Sequence, residues 1–182
     1  MEEKKPTQLI NSLTFGLLTG LTFIAFSVLT INMNMGQSPI SWLGYGILVG
    51  GLWWGAVNYR DKALNGFMSY GEAFRSLFFT LLFASVLMTI FMFIYFKYIN
   101  VDYFDSAKVK AEEQMREKGM SDEQIEMGMK YAATFMSPAW VATFTLLGYL
   151  IIGSILSAIA AAFIKKENPD QFGENNQSEN SN

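Results

Sequence analysis

Four stretches of the chain, 13–31, 40–57, 76–96 and 139–164, contain no Asp, Glu, Lys or Arg, and nothing else in the sequence constrains the fold as strongly. At about 1.5 Å per helical residue the first stretch spans roughly 28 Å, close to the ~30 Å hydrocarbon core of a bilayer. The competing reading is a set of core helices in a soluble protein. It fails because four such runs in 182 residues, with 51% hydrophobic and only 16% charged residues overall, leave too little polar surface to cover them. The expected fold is an all-α integral membrane protein. It has a single domain over 1–166 with four transmembrane helices, a helical hairpin at 97–137 between the third and fourth, and a disordered polar tail at 167–182. The first run is expected to be retained. Lys4 and Lys5 would suit the start of a signal peptide, but the apolar stretch exceeds the roughly 7 to 15 residues of a cleaved segment and no A-x-A site follows it.

Orientation follows from the basic residues near helix ends, which stay on the cytoplasmic side. Lys4 and Lys5 precede the first run, Arg60, Lys62 and Arg75 flank the second connection, and Lys165 and Lys166 follow the last run. The first connection has no basic residue, and those of the long connection are outnumbered by acidic ones. Both termini are therefore expected in the cytoplasm. Trp42 and Trp140 then mark the outer interface and Trp53, Trp54 and Tyr59 the inner one.

The long connection reads as two helices. Residues 105–118 are rich in Ala, Glu, Lys, Gln and Met, which favour helix, and Gly119 breaks it. Ser121 and Gln124 then form a capping box, with Met120 and Ile125 as a hydrophobic staple. Ile125, Met129, Ala132 and Met136 recur on one face, while Glu123, Glu126 and Lys130 turn to water. Pro138 suits the first turn of the last membrane helix, where its missing donor costs least. The polar, Asn-rich tail cannot bury enough apolar surface to offset ordering.

Composition removes much chemistry. With no cysteine and no histidine, thiolate nucleophiles, disulfides, Cys/His zinc sites, Ser-His-Asp triads and histidine-ligated haem are excluded. No cofactor is implied. A net charge of -3 without a clustered basic stripe gives nucleic acid no footprint, and no ionisable residue inside the four runs marks an ion-coupled pathway. Two features remain as candidates. Gly16-x3-Gly20, Gly46-x3-Gly50 and Gly51-x3-Gly55, with Ser154, Ala158 and Ala162, have the small-residue spacing that lets membrane helices approach closely, either within one bundle or in a homo-oligomer. Ser69, Glu72 and Arg75 open the third run. They read either as a capping box with Arg75 reaching the headgroups or as a cation ligand at a pathway mouth.

Three segments carry a resemblance: Met68-Ser69-Tyr70-Gly71-Glu72-Ala73-Phe74-Arg75, then Lys118-Gly119-Met120-Ser121-Asp122-Glu123-Gln124-Ile125, then Phe135-Met136-Ser137-Pro138. Together they resemble the bacterial membrane proteins of domain-of-unknown-function family 4199. The likeness covers 11–166 and includes a glycine-bearing last helix with its lysine stop. It implies a four-helix protein of the inner membrane with no assigned activity, cofactor or catalytic residue, and a membrane-associated glycosyltransferase as a partner class. The expected function is a non-enzymatic accessory or scaffold subunit of an envelope process. The alternative is a small-solute or lipid-handling transporter with its site between the first two helices and Glu72.

Overall fold

The computed structural model describes residues 5–33, 35 and 38–167; Lys4 and residues 168–182 of the expected tail lie outside them. Among the described residues the secondary structure is helical, apart from one isolated antiparallel bridge. Six α-helices follow in order: α1 (Gln8–Asn32), α2 (Trp42–Ala63), α3 (Tyr70–Ile94), α4 (Tyr103–Glu117), α5 (Asp122–Phe135) and α6 (Pro138–Ile164). A short 3-10 turn (Pro39–Ser41) leads into α2, and a π turn (Tyr95–Ile99) ends α3.

Several boundaries reach beyond the uncharged runs because capping, not hydropathy, decides where a helix starts. Thr7 accepts a hydrogen bond from the Ile10 amide and starts α1 at Gln8, ahead of the apolar run. Helix α2 continues past Val57 through Arg60-Asp61-Lys62, where the cations Arg60 and Lys62 suit the negative end of its dipole. Among the described residues three helices are long and apolar enough to cross a membrane: Gln8–Asn32, Tyr70–Ile99 and Pro138–Ile164. Helix α2 is not among them, although the sequence led us to expect four. Its five glycines and three tryptophans dilute the apolar side chains.

The chain divides into two compact units, 1–87 with 149–182, and 88–148. In the first unit α1 and α3 run parallel with a constant offset. Gln8 meets the Glu72 carbonyl, Ser12 the Ser76 carbonyl, Gly16 the Thr80 carbonyl and Gly20 the Ala84 carbonyl, one contact per turn. Helix α2 lies antiparallel to α1, with Gly55 against Phe15 and Gly51 against Thr19. Helix α6 lies antiparallel to α3, with Gly153 against Leu81 and Lys166 paired to Met68. Leu48, Leu52, Ala56, Leu77, Leu81 and Ala161 fill the space between.

On α1 and α6 polar residues are buried while large apolar ones are exposed, the reverse of a water-soluble bundle. On α1, Asn11 is 4% exposed and Ser12 fully buried, whereas Leu9 and Leu21 are each 56% exposed. On α6, Ser157 is buried while Ile151, Ile155 and Phe163 are exposed. Water would drive the leucines and isoleucines inward; hydrocarbon gives them no such preference and leaves packing and hydrogen bonding to choose the interior.

In the second unit the π turn is closed by the Asn100 amide donating to the Tyr95 carbonyl at 2.8 Å. Phe96 there packs on Tyr103 and Phe104 of α4, with ring centroids 4.6 and 5.2 Å away. Gly119 takes φ +71°, a left-handed conformation that suits glycine at the end of α4. The Ser121–Gln124 box starts α5 with both reciprocal hydrogen bonds formed. Helices α4 and α5 touch where Met115 lies over Gly128, and Ile125 is buried. Met129, Ala132 and Met136 are half-buried, and Glu123, Glu126 and Lys130 are exposed. Pro138 is the first residue of α6. The opposite face of α5 is also apolar: Met127, Tyr131 and Phe135 are exposed, and Phe135 meets Trp140 at 5.7 Å.

Candidate functional site

Hydrogen bonds gather one end of the first unit into a single polar face, composed of the start of α1, the end of α2, the start of α3 and the end of α6. The Lys5 ammonium donates to Asn65 Oδ1 at 2.8 Å. Arg60 Nη1 donates to the Ile164 carbonyl at 3.3 Å, so a cation from α2 caps the C-terminus of α6. Met68 and Lys166 exchange backbone hydrogen bonds of 2.8 Å each, pinning the α2–α3 loop to the last turn of α6. Asn65 and Gly66 carry that loop through positive φ (56° and 86°), a turn Asn and Gly tolerate. Lys5, Arg60, Lys62, Arg75, Lys165 and Lys166, scattered through the sequence, thus belong to one face.

At its centre the capping box predicted for α3 is formed. The Ser69 amide donates to Glu72 Oε2 at 2.9 Å, the Ser69 hydroxyl donates to the same oxygen at 2.7 Å, and the Glu72 amide donates to Ser69 Oγ at 3.4 Å. Arg75 does not complete the set. Its Nε donates to the Gly71 carbonyl at 3.2 Å, and among the described residues it forms no ion pair with Glu72. The carboxylate is already satisfied by Ser69, so a three-residue spacing that permits a pair does not produce one. Burial, and then the charge of Glu72, push the nearby Tyr59 phenol above its ordinary range, partly countered by Arg75. Ser69, Glu72 and Arg75 line a cleft of about 650 Å³ with Asn65, Met68 and Lys166. Among the described residues no group of three Asp or Glu stands close enough to hold a metal ion.

The box makes a testable distinction. Ser69→Ala should cost roughly 0.5 to 2 kcal/mol of stability by removing the cap acceptor, whereas Glu72→Gln keeps an oxygen facing the Ser69 amide and should cost less. Denaturant unfolding of the two variants measures the difference. A Glu72→Gln cost equal to or above that of Ser69→Ala would mean that the charge, not the cap, is what the site needs.

The candidate packing residues separate into groups. A Cβ on Gly16 would lie 2.7 Å from Phe83 Cβ and 2.8 Å from the Thr80 carbonyl, and one on Gly20 3.0 Å from Leu87. Gly51 and Gly55 are equally closed, by Thr19 and by Phe15. Gly46 and Gly50 face open space. On α6 the contact runs through Gly153, Ser157 and Ala161, all buried, one position before the expected stripe. Ser154 and Ala158 are half-buried beside it and Ala162 is exposed. The sequence reading missed Asn11, whose Nδ2 donates to the Gly55 carbonyl at 2.8 Å in a buried position where α1 crosses α2. It also missed Ser12, which continues Gly16-x3-Gly20 one turn earlier. The signal was present as an uninterrupted four-residue period, Gln8, Ser12, Gly16 and Gly20.

A family model described as "Protein of unknown function (DUF4199)" matches residues 14–166. No curated protein and no solved structure matches the chain.

Proposed function

The chain belongs to the DUF4199 family of proteins of unknown function, and from that premise we propose a non-enzymatic scaffold or accessory subunit of the bacterial inner membrane, with four spans and both termini in the cytoplasm. Helix α2 would be the fourth span. Its buried face is held by α1, which relieves it of the apolarity that a lone span needs. The observation that carries the scaffold reading is closure of the α1–α2–α3 contacts at the glycines. The space in which a transporter would need a water-accessible site is occupied at Gly51 by Thr19, at Gly55 by Phe15 and at Gly16 by the α3 backbone. On this reading α4 and α5 form an outward hairpin that offers a partner the exposed Met127–Tyr131–Phe135 face. A membrane-bound glycosyltransferase is one partner class to seek, and a second copy of the chain is another.

Gathering the basic residues on one face supports the orientation. A reporter fused after Lys166 should therefore report cytoplasm, and one inserted at Gly119 the far side; a C-terminus outside the cytoplasm would overturn it. The scaffold role is tested by affinity purification from native membranes with mass spectrometry. A stoichiometric membrane partner is expected. Recovery of the chain alone, together with solute flux in proteoliposomes, would sink the reading in favour of transport.

A further inference from the structure

Resting on the membrane reading above, we infer that the cleft between the α2–α3 loop and the end of α6 binds a phosphate-bearing anion, the headgroup of an anionic phospholipid, with Arg75 and Lys166 as its ligands. The carboxylates around the cleft already have partners. Glu72 is held by Ser69, Glu167 pairs with Lys165 at 3.5 Å, and Asp61 pairs with Arg60 at 2.8 Å. Two cations lining the cleft form no ion pair among the described residues, although Arg75 lies within electrostatic reach of Glu72. Arg75 engages only its Nε, with the Gly71 carbonyl, which leaves both Nη groups to donate. The Lys166 ammonium lies over the Phe67 ring, 5.7 Å from its centroid. Lys5, held to Asn65, adds a third positive charge at the rim.

A guanidinium with two free Nη groups matches two phosphate oxygens, and an ammonium beside it supplies a point charge. The Lys166 backbone is fixed in advance, because it is bound to Met68 by two hydrogen bonds. Binding therefore has only the side chains left to order. The position favours a lipid as the source of the phosphate. The cleft lies where α3 begins and α6 ends, two helices long and apolar enough to cross a membrane, which is headgroup depth. Phe67 and Met68 give it an apolar wall, and Phe163 and Ile159 on the exposed face of α6 continue toward the acyl region.

The test uses the full chain in nanodiscs of equal phosphatidylglycerol and phosphatidylcholine, with native mass spectrometry of the lipids that stay bound on release. Phosphatidylglycerol should be retained in preference, and Arg75→Gln with Lys166→Gln should lower that preference by about tenfold. Lys62→Gln, on the same face but outside the cleft lining, should leave it unchanged. The charge-preserving Lys166→Arg should keep it, which separates loss of charge from misfolding. Equal retention of the two lipids, or a preference undiminished in the double glutamine variant, would overturn the proposal. If millimolar inorganic phosphate in phosphatidylcholine discs raises the unfolding temperature of the wild type alone, with no lipid preference, the phosphate chemistry stands and the lipid is overturned as its source. Release of the protein from native membranes by alkaline carbonate would count against the membrane reading itself, whatever these arms show.

Discussion

Ile151→Arg is expected to lower the membrane insertion of α6 about a hundredfold. Ile151 lies at the middle of α6 and is 62% exposed, on the same face as Ile155 and Phe163. If that face meets lipid, an arginine at the helix centre costs about 2.5 to 3.5 kcal/mol of insertion free energy, roughly a hundredfold in the partition. If it met water instead, the substitution would be close to neutral, as a surface change away from special features normally is. The fraction of a reporter fused after Lys166 that still reports cytoplasm, compared between wild type, Ile151→Arg and a Glu113→Arg control on α4, gives the readout. Undiminished integration of Ile151→Arg would mean that the exposed apolar face does not lie in hydrocarbon.

The second large effect separates two glycines that look alike in the sequence. Gly16→Leu should destabilise the fold by about 3 kcal/mol or more, because the atoms in the way, the Thr80 carbonyl and Phe83 Cβ, belong to or adjoin the α3 backbone and have no rotamer to change. Gly46→Leu should be tolerated, since nothing lies within 4 Å of the added Cβ. Thermal unfolding in detergent, with mass from light scattering, measures both. A destabilised Gly46→Leu, or an unaffected Gly16→Leu, would contradict the α1–α2–α3 arrangement. A fall in mass with unchanged unfolding temperature for Gly46→Leu would place a second copy of the chain on that face of α2.

What could be read without the tertiary structure is whatever one segment decides alone. A long uncharged run meets lipid or core irrespective of its neighbours, so the helices containing 13–31, 76–96 and 139–164 were legible from residue type and length. The capping boxes at Ser69 and Ser121 involve residues three apart on one backbone, and Pro138 restricts its own φ and donor; all three are local events that stand where expected. The status of α2 was less legible, because its glycines shorten the apolar signal while serving contacts with α1 that only the folded chain reveals. The same limit applies to the small-residue stripes. A four-residue period shows that a helix has a narrow face, but not which way that face points. Only the register of α1 against α3 made Gly16 a contact, and only the seat of α6 on Leu81 chose Gly153, Ser157 and Ala161 over Ser154, Ala158 and Ala162. Asn11 acquires its role when Gly55, 44 residues away, brings a carbonyl within 2.8 Å. Likewise Arg75 and Lys166 share a cleft because Met68 pairs with Lys166 across nearly a hundred residues of chain. Helix period and hydropathy belong to a segment, whereas the direction of a contact belongs to the pair of helices that make it, and that direction is set only when both are in place.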